Sequence, residues 1–196
     1  MNINSKTRFI ATTGMLSAIS AALMFFEFPL PLLPPFLKLD LSDVPVLIGA
    51  FILGPLPALA ITLVKDLIHL LGTTSGGVGE LADFLVTGSL ALSVGFIYMA
   101  RKTTLFSILG CLIGIFVMTI MGVVSNLYII LPFYENIMPI DAILAMCAKI
   151  NPVITNVKSY ILFGVVPFNL FKGILVAAIA IPVYKRLGAV ILGFKK

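Results

Sequence analysis

The stretch VPVLIGAFILGPLPALAITLVKDLIHLL, residues 44–71, decides the fold. It is apolar almost throughout. As one continuous helix it would run to roughly 42 Å at 1.5 Å per residue, against a membrane hydrocarbon core of about 30 Å. It also contains Gly54-Pro55-Leu56-Pro57, a helix-breaking cluster. The stretch is therefore expected to form two short helices, over 44–54 and 57–71, instead of one span.

The rest of the chain fits a membrane setting. Of 196 residues, 60% are hydrophobic and only 11% charged, with a mean hydropathy of +1.17. Soluble domains carry roughly a quarter charged residues. Long stretches without polar–apolar alternation argue against a β-barrel. The expectation is an all-α integral membrane protein, one domain over 1–196, built as a six-transmembrane-helix bundle. The spans fall at about 7–26, 44–54, 57–71, 80–100, 104–131 and 167–184. The start, MNINSKTRFIATTGMLSAISAALMFF, has the basic flank of a signal peptide, but its uncharged run is too long for one and reads as an uncleaved first span. GTTSGGVG (72–79) is a flexible loop. A long first connector and a long fifth connector (132–165, with Asn151-Pro152 in its middle) lie on the outer side.

Charge tests this count. With a cytoplasmic N-terminus, six spans place Lys6, Arg8, Arg101, Lys102, Lys185, Arg186, Lys195 and Lys196 inside, 8 of the 13 basic residues. That is the positive-inside pattern of a multi-pass membrane protein with both termini cytoplasmic. The outer side receives Glu27, Asp40, Asp43, Glu80, Asp83, Glu135 and Asp141, 7 of the 8 acidic residues. Because the basic residues flank apolar segments, the net charge of +5 does not point to nucleic acid.

Catalytic signatures are missing. GTTSGGVGE has glycines but no Gly-Lys-Ser/Thr, so it is no phosphate-binding loop. A single histidine, His69, cannot build a histidine-rich metal site. Cys111 and Cys147 lack ligand spacing and read as small apolar residues. No nucleophile–base–orienter set can be assembled, which makes an enzyme the weaker hypothesis.

Polar residues at membrane depth are functional candidates. PPFLKLDLSDVP (34–45) puts Lys38, Asp40 and Asp43 into a proline-stiffened connector whose Phe36, Leu37, Leu39 and Leu41 prefer a wall or a ligand to water. The alternative is a solvated loop. Asn169 and Lys172, at i and i+3 in PFNLFKG, share one helix face. A structural ion pair would also account for Lys172, and an interhelical hydrogen bond for Asn126 in SNLYIILP. These groups, with Glu80 and Asp83, converge on the outer half of the bundle. Lys65 and Asp66 read as an internal ion pair instead of a proton path, since no chain of carboxylates continues across the membrane. On the first helix Gly14, Ala18 and Ala22 recur every four residues, with Ser17 and Ala21 as a second small row. Either a partner helix or internal packing could use such a stripe.

FPLPLLPPFLKLDLSDVPVLIGAFILGP (28–55), TSGGVGELADF (74–84), SNLYIILPFY (125–134) and GVVPFNLFKGI (164–174) together resemble the riboflavin-specific S components of energy-coupling-factor (ECF) vitamin transporters. The resemblance covers nearly the whole chain, and LDLSDVP and PFNLFKG are its most specific parts. It implies a six-helix substrate-binding protein without an ATPase of its own, working with a transmembrane coupling subunit and two cytoplasmic ATPases. The implied site lies near the outer surface, under the first connector and between helices four to six. Carried over by motif, its polar contacts are Asp40 or Asp43, Asn126, Asn169 and Lys172, joined by Lys38 and Glu80 as further candidates. The family's docking motif falls on Ala18 and Ala22.

These residue types suit the ligand that the resemblance implies. Riboflavin, here cargo and not cofactor, joins a flat tricyclic ring to a polyhydroxy chain. Amides both donate and accept, so Asn126 and Asn169 can satisfy the ring's polar edge without a charge. Lys172 and a connector Asp can bind the chain hydroxyls by charge-assisted bonds. The connector would act as a lid. The competing expectations are an S component for another vitamin or for flavin mononucleotide, and a stand-alone proton-coupled carrier using Lys65 and Asp66.

Overall fold

The computed structural model describes residues 5–31, 33–34 and 37–191. Phe36 of the expected lid and the basic residues Lys195 and Lys196 lie outside the described residues. The elements in order are α1 (Ser5–Met24), a two-residue hairpin of β1 (Phe28–Pro29) and β2 (Lys38–Leu39), α2 (Asp43–Ile52), α3 (Pro55–His69), α4 (Val78–Ala100), α5 (Thr104–Ser125), α6 (Leu131–Glu135), α7 (Ile140–Ile150), α8 (Val157–Tyr160) and α9 (Val166–Ile191).

The decisive stretch breaks at Gly54, whose φ of 101° is open to glycine and strained for other residues. The N–H groups of Leu53 and Gly54 both donate to Gly49 O, closing α2. Pro55 then opens α3, where a missing N–H costs nothing. The junction packs tightly: a Cβ at Gly95 of α4 would sit 2.7 Å from Pro55 Cα. With 10 residues, α2 spans about 15 Å and cannot cross the membrane alone. Residues Asp43–Phe51 are all buried, between α1, α3, α4 and α9. Among the described residues, five helical stretches are long and apolar enough to cross: Lys6–Met24, Pro55–Gly72, Val78–Ala100, Thr104–Glu135 and Val157–Arg186.

Two expected boundaries were wrong, both at prolines. Span five does not stop at Leu131, and span six does not begin at Pro167. Helix α5 continues through a π turn at Asn126–Ile130 into α6. Likewise α8 continues through a π turn at Ile161–Val165 into α9. In each case the proline, Pro132 or Pro167, stands two residues past the π turn. A proline ring clashes with the carbonyl of residue i−4, here Tyr128 or Phe163, inside the π turn. The widened turn relieves that clash without ending the helix. The fifth connector thereby shrinks to residues 136–156 and contains α7.

Burial divides the small-residue rows of α1. Ser17 and Ala21 are buried, and Gly14, Ala18 and Ala22 are exposed. One apolar cluster surrounds α2 and includes Leu47, Ile61, Leu90 and Met118. A second lies under the first connector and includes Leu37, Leu39, Ile143, Cys147, Tyr160 and Phe168. Far from the connector, Phe51, Tyr98 and Tyr184 join α2, α4 and α9, with a Tyr98–Tyr184 hydroxyl bond of 2.6 Å.

Candidate functional site

A cavity opens at the end of the bundle where α1 and α3 finish and α4 begins. Its empty space, mouth included, is about 890 Å³. The first connector contributes Leu37, Lys38 and Asp40; α4 contributes Glu80, Asp83 and Val86; α5 and its π turn contribute Met118, Gly122 and Asn126; α9 contributes Phe168, Asn169 and Lys172. The lining sets an apolar side, with Leu37, Val86, Met118 and Phe168, against a larger set of polar and charged groups.

The charged floor is a buried network. Lys172 Nζ lies 3.0 Å from Asp43 Oδ2, 3.1 Å from Asp40 Oδ2 and 3.3 Å from Asp83 Oδ1. Lys172 donates hydrogen bonds to Asp40 and Asp83, and its contact with Asp43 is an ion pair without hydrogen-bond geometry. Lys65, fully buried, pairs with Asp83 and lies 3.4 Å from Asp43 Oδ1 and 3.2 Å from Asp66 Oδ1. The Asp40 carboxylate also accepts from Ser42 N–H at 2.7 Å, and Asp43 from Thr87 at 3.0 Å. Burial pushes the Asp40 carboxyl up, but Lys172 and Lys65 outweigh it and hold Asp40 below the usual carboxylate range. Neither oxygen of Asp66 has a hydrogen-bond partner among the described residues.

The mouth is tied by a second set of contacts. Lys38 pairs with Glu27 and donates to Thr74 Oγ1 at 3.1 Å, joining the first connector to the loop before α4. Glu80 binds His69 Nδ1 at 2.8 Å and accepts from Ser75 at 2.9 Å. The loop turns back through Gly76 and Gly77, both at positive φ. Leu37 and Leu39 of the connector are buried, and Leu41 is exposed.

The amides are held by their own helices. Asn126 Nδ2 donates to Gly122 O at 2.8 Å, and Asn169 Nδ2 to Val165 O at 2.8 Å. Gly122 lets α9 approach α5, since a Cβ there would meet Asn169 Nδ2 at 2.5 Å.

Of the residues singled out in the sequence, Lys38, Asp40, Glu80, Asn126, Asn169 and Lys172 line the cavity. Asp43 sits behind them, against Lys172 and Lys65. Ala18 and Ala22 lie on the exposed face of α1, apart from the cavity. Sequence reasoning separated Lys65 and Asp66 from the site, yet both belong to the network under it. It also passed over Glu27, His69, Thr74 and Ser75. Asp83, grouped with Glu80 on the outer half of the bundle in the sequence, also lines the cavity.

A family model described as ECF transporter, substrate-specific component, matches residues 8–184. The chain is 37% identical over 187 residues to the riboflavin transporter RibU of Staphylococcus aureus (strain TCH60), covering 95% of this chain and 93% of that one. It is 30% identical over 179 residues to the riboflavin transporter FmnP of Bacillus subtilis (strain 168), covering 89% and 88%. A solved S component of a bacterial ECF transporter matches with a TM-score of 0.78 at 33% identity, covering 95% of this chain and 99% of that one.

Proposed function

The chain belongs to the substrate-specific components of ECF transporters, and from that premise we propose that it captures riboflavin at the outer membrane face for ATP-driven uptake. The observation that carries this reading is the cavity. It pairs an apolar wall (Leu37, Val86, Met118, Phe168) with two amides and a carboxylate-rich floor. The first suits a tricyclic ring, the second its polar edge, and the third a chain of hydroxyl donors. The contacts are Lys38, Asp40, Glu80, Asn126, Asn169 and Lys172, with Asp43 acting through Lys172. Two relatives of high coverage are riboflavin transporters.

Charge supports the orientation. Arg8, Arg101, Lys102, Lys185 and Arg186 stand at the ends of their spans away from the cavity. The positive-inside rule then puts those ends in the cytoplasm and the cavity outside. With α2 counted as a short sixth element, the bundle has six membrane helices and both termini inside. The exposed Gly14–Ala18–Ala22 row is the docking face for the transmembrane coupling subunit, which carries the two ATPases.

The rival readings fit the site less well. A flavin phosphate would bring a dianion to a cavity lined by Glu27, Asp40, Glu80 and Asp83, with Lys38 already paired. For a proton-coupled carrier, no carboxylate follows Asp66 toward the far end of the bundle, where the described acidic residues are absent. The test is titration of detergent-purified protein with riboflavin, beside flavin mononucleotide. Saturable one-to-one quenching of riboflavin fluorescence is expected. Folded protein without saturable quenching would falsify the reading, and preference for the phosphate ester would replace it.

A further inference from the structure

Asn126 and Asn169 each use one amide N–H on a main-chain carbonyl, Gly122 O and Val165 O. A carbonyl only accepts, so Nδ2 and not Oδ1 must face it. At Asn126 the other end of the amide is held as well, because the Tyr160 hydroxyl donates to Oδ1. Tyr160 is 1% exposed and is not part of the cavity wall. It ends α8, next to the π turn Ile161–Val165, and Asn126 opens the π turn Asn126–Ile130. The bond therefore joins the two widened turns. Asn169 has no such second clamp among the described residues.

We infer that Tyr160 is a positioning residue: it fixes the Asn126 amide so that its remaining N–H faces the cavity, and this corner of the site reads a hydrogen-bond acceptor on the ligand. The inference rests on the riboflavin reading above. In riboflavin the acceptors within reach of one edge are the two ring carbonyls and the unprotonated ring nitrogens. Without the Tyr160 hydroxyl, Oδ1 loses its donor and the bond to Gly122 O alone holds the amide, whose second N–H can then swing away from the cavity. The corner then ceases to distinguish a good acceptor from a poor one.

The test uses Tyr160→Phe and four riboflavin analogues, 2-thioriboflavin, 4-thioriboflavin, 1-deazariboflavin and 5-deazariboflavin. Each weakens one ring acceptor. Wild-type protein should bind riboflavin and discriminate against at least one analogue. Tyr160→Phe, with its thermal midpoint measured alongside, should lose about tenfold in riboflavin affinity. Discrimination against that analogue should fall toward one, which a general loosening of the fold would not produce. Asn126→Asp provides a second route, since it removes the donor while keeping an acceptor for Tyr160. It should erase the same discrimination even if Tyr160→Phe does not fold. Wild-type protein that binds riboflavin but treats all four analogues like it overturns the inference. So does wild-type discrimination retained in either folded variant. A wild-type protein that does not bind riboflavin overturns the functional reading itself, and this inference with it.

Discussion

Replacing Lys65 with methionine keeps an unbranched side chain, one atom shorter, and removes its charge. Lys65 is fully buried and stands among Asp43, Asp66 and Asp83. At an effective dielectric near 20, unit charges at the 3.2 and 3.4 Å of Asp66 and Asp43 attract by about 5 kcal/mol each. Much of that attraction offsets the cost of burying the ammonium, several kcal/mol per ion. What remains after substitution is a group of buried carboxylates with Lys172 as the nearby cation. Breaking a buried pair in this way costs about 3–5 kcal/mol. Lys65→Met should therefore destabilise the protein by about that amount, and riboflavin binding should weaken with it, because Asp83 and Asp43 also hold Lys172. Unfolding in mixed detergent micelles, followed by the thiol reactivity of buried Cys111 and Cys147, reads the stability. Adding Asp66→Asn should recover part of the loss, since it removes one stranded anion that has no hydrogen bond to forfeit. A Lys65→Met protein within about 1 kcal/mol of wild type would refute the reasoning, because truncating a buried pair cannot be that cheap.

Gly122→Ala should weaken riboflavin binding by about 1–3 kcal/mol with little change in stability, since the new methyl displaces only the far end of Asn169; unchanged affinity in a titration would exclude Asn169 from the site. Ala18→Leu with Ala22→Leu should abolish uptake in cells carrying the coupling subunits while binding by the purified variant stays intact; uptake at the wild-type rate would remove the docking role from that face. A carboxyl held below its ordinary value stabilises the fold fully above that value and loses the contribution as pH falls through the depressed one. For Asp40 this means no change from neutrality down to about pH 4, then a loss that Asp40→Asn should not show; a wild-type acid limb identical to that of the variant would sink the assignment.

How much of this was legible in the sequence depended on how local the signal was. The break at Gly54-Pro55 was visible because a positive φ and a missing N–H are properties of those residues alone. The cavity's polar wall was visible because lysine and asparagine at membrane depth are costly and therefore conspicuous. The network beneath it was not. Lys65 and Asp66 are adjacent in sequence and suggest a self-contained pair. They do meet, but the further partners of Lys65, Asp43 and Asp83, come from α2 and α4, and no local pattern reports that meeting. The full set of partners of Lys172 was hidden for the same reason. Its position on the helix face was readable, but the three carboxylates around its ammonium come from the connector, α2 and α4.

The prolines show why a sound local rule gave wrong boundaries here. In water, a helix interrupted at proline can hand its freed carbonyls to solvent, so ending the helix is cheap. In lipid those carbonyls would stay unsatisfied, and a widened turn that keeps the backbone bonded is the better solution. The segments NLYIILP and ILFGVVP place a proline at the same distance from the start of each π turn, and both helices run on. The widened turns also carry the site. Asn126 is the first residue of one, and Val165, whose carbonyl holds the Asn169 amide, is the last of the other. Each π turn shifts the helical register by about one residue, so residues on its two sides point differently than an unbroken α-helix would allow. Straightening either helix would thus move an amide relative to the carboxylate floor. The feature that hid the ends of spans five and six from the sequence is the one that sets the angle of the two asparagines.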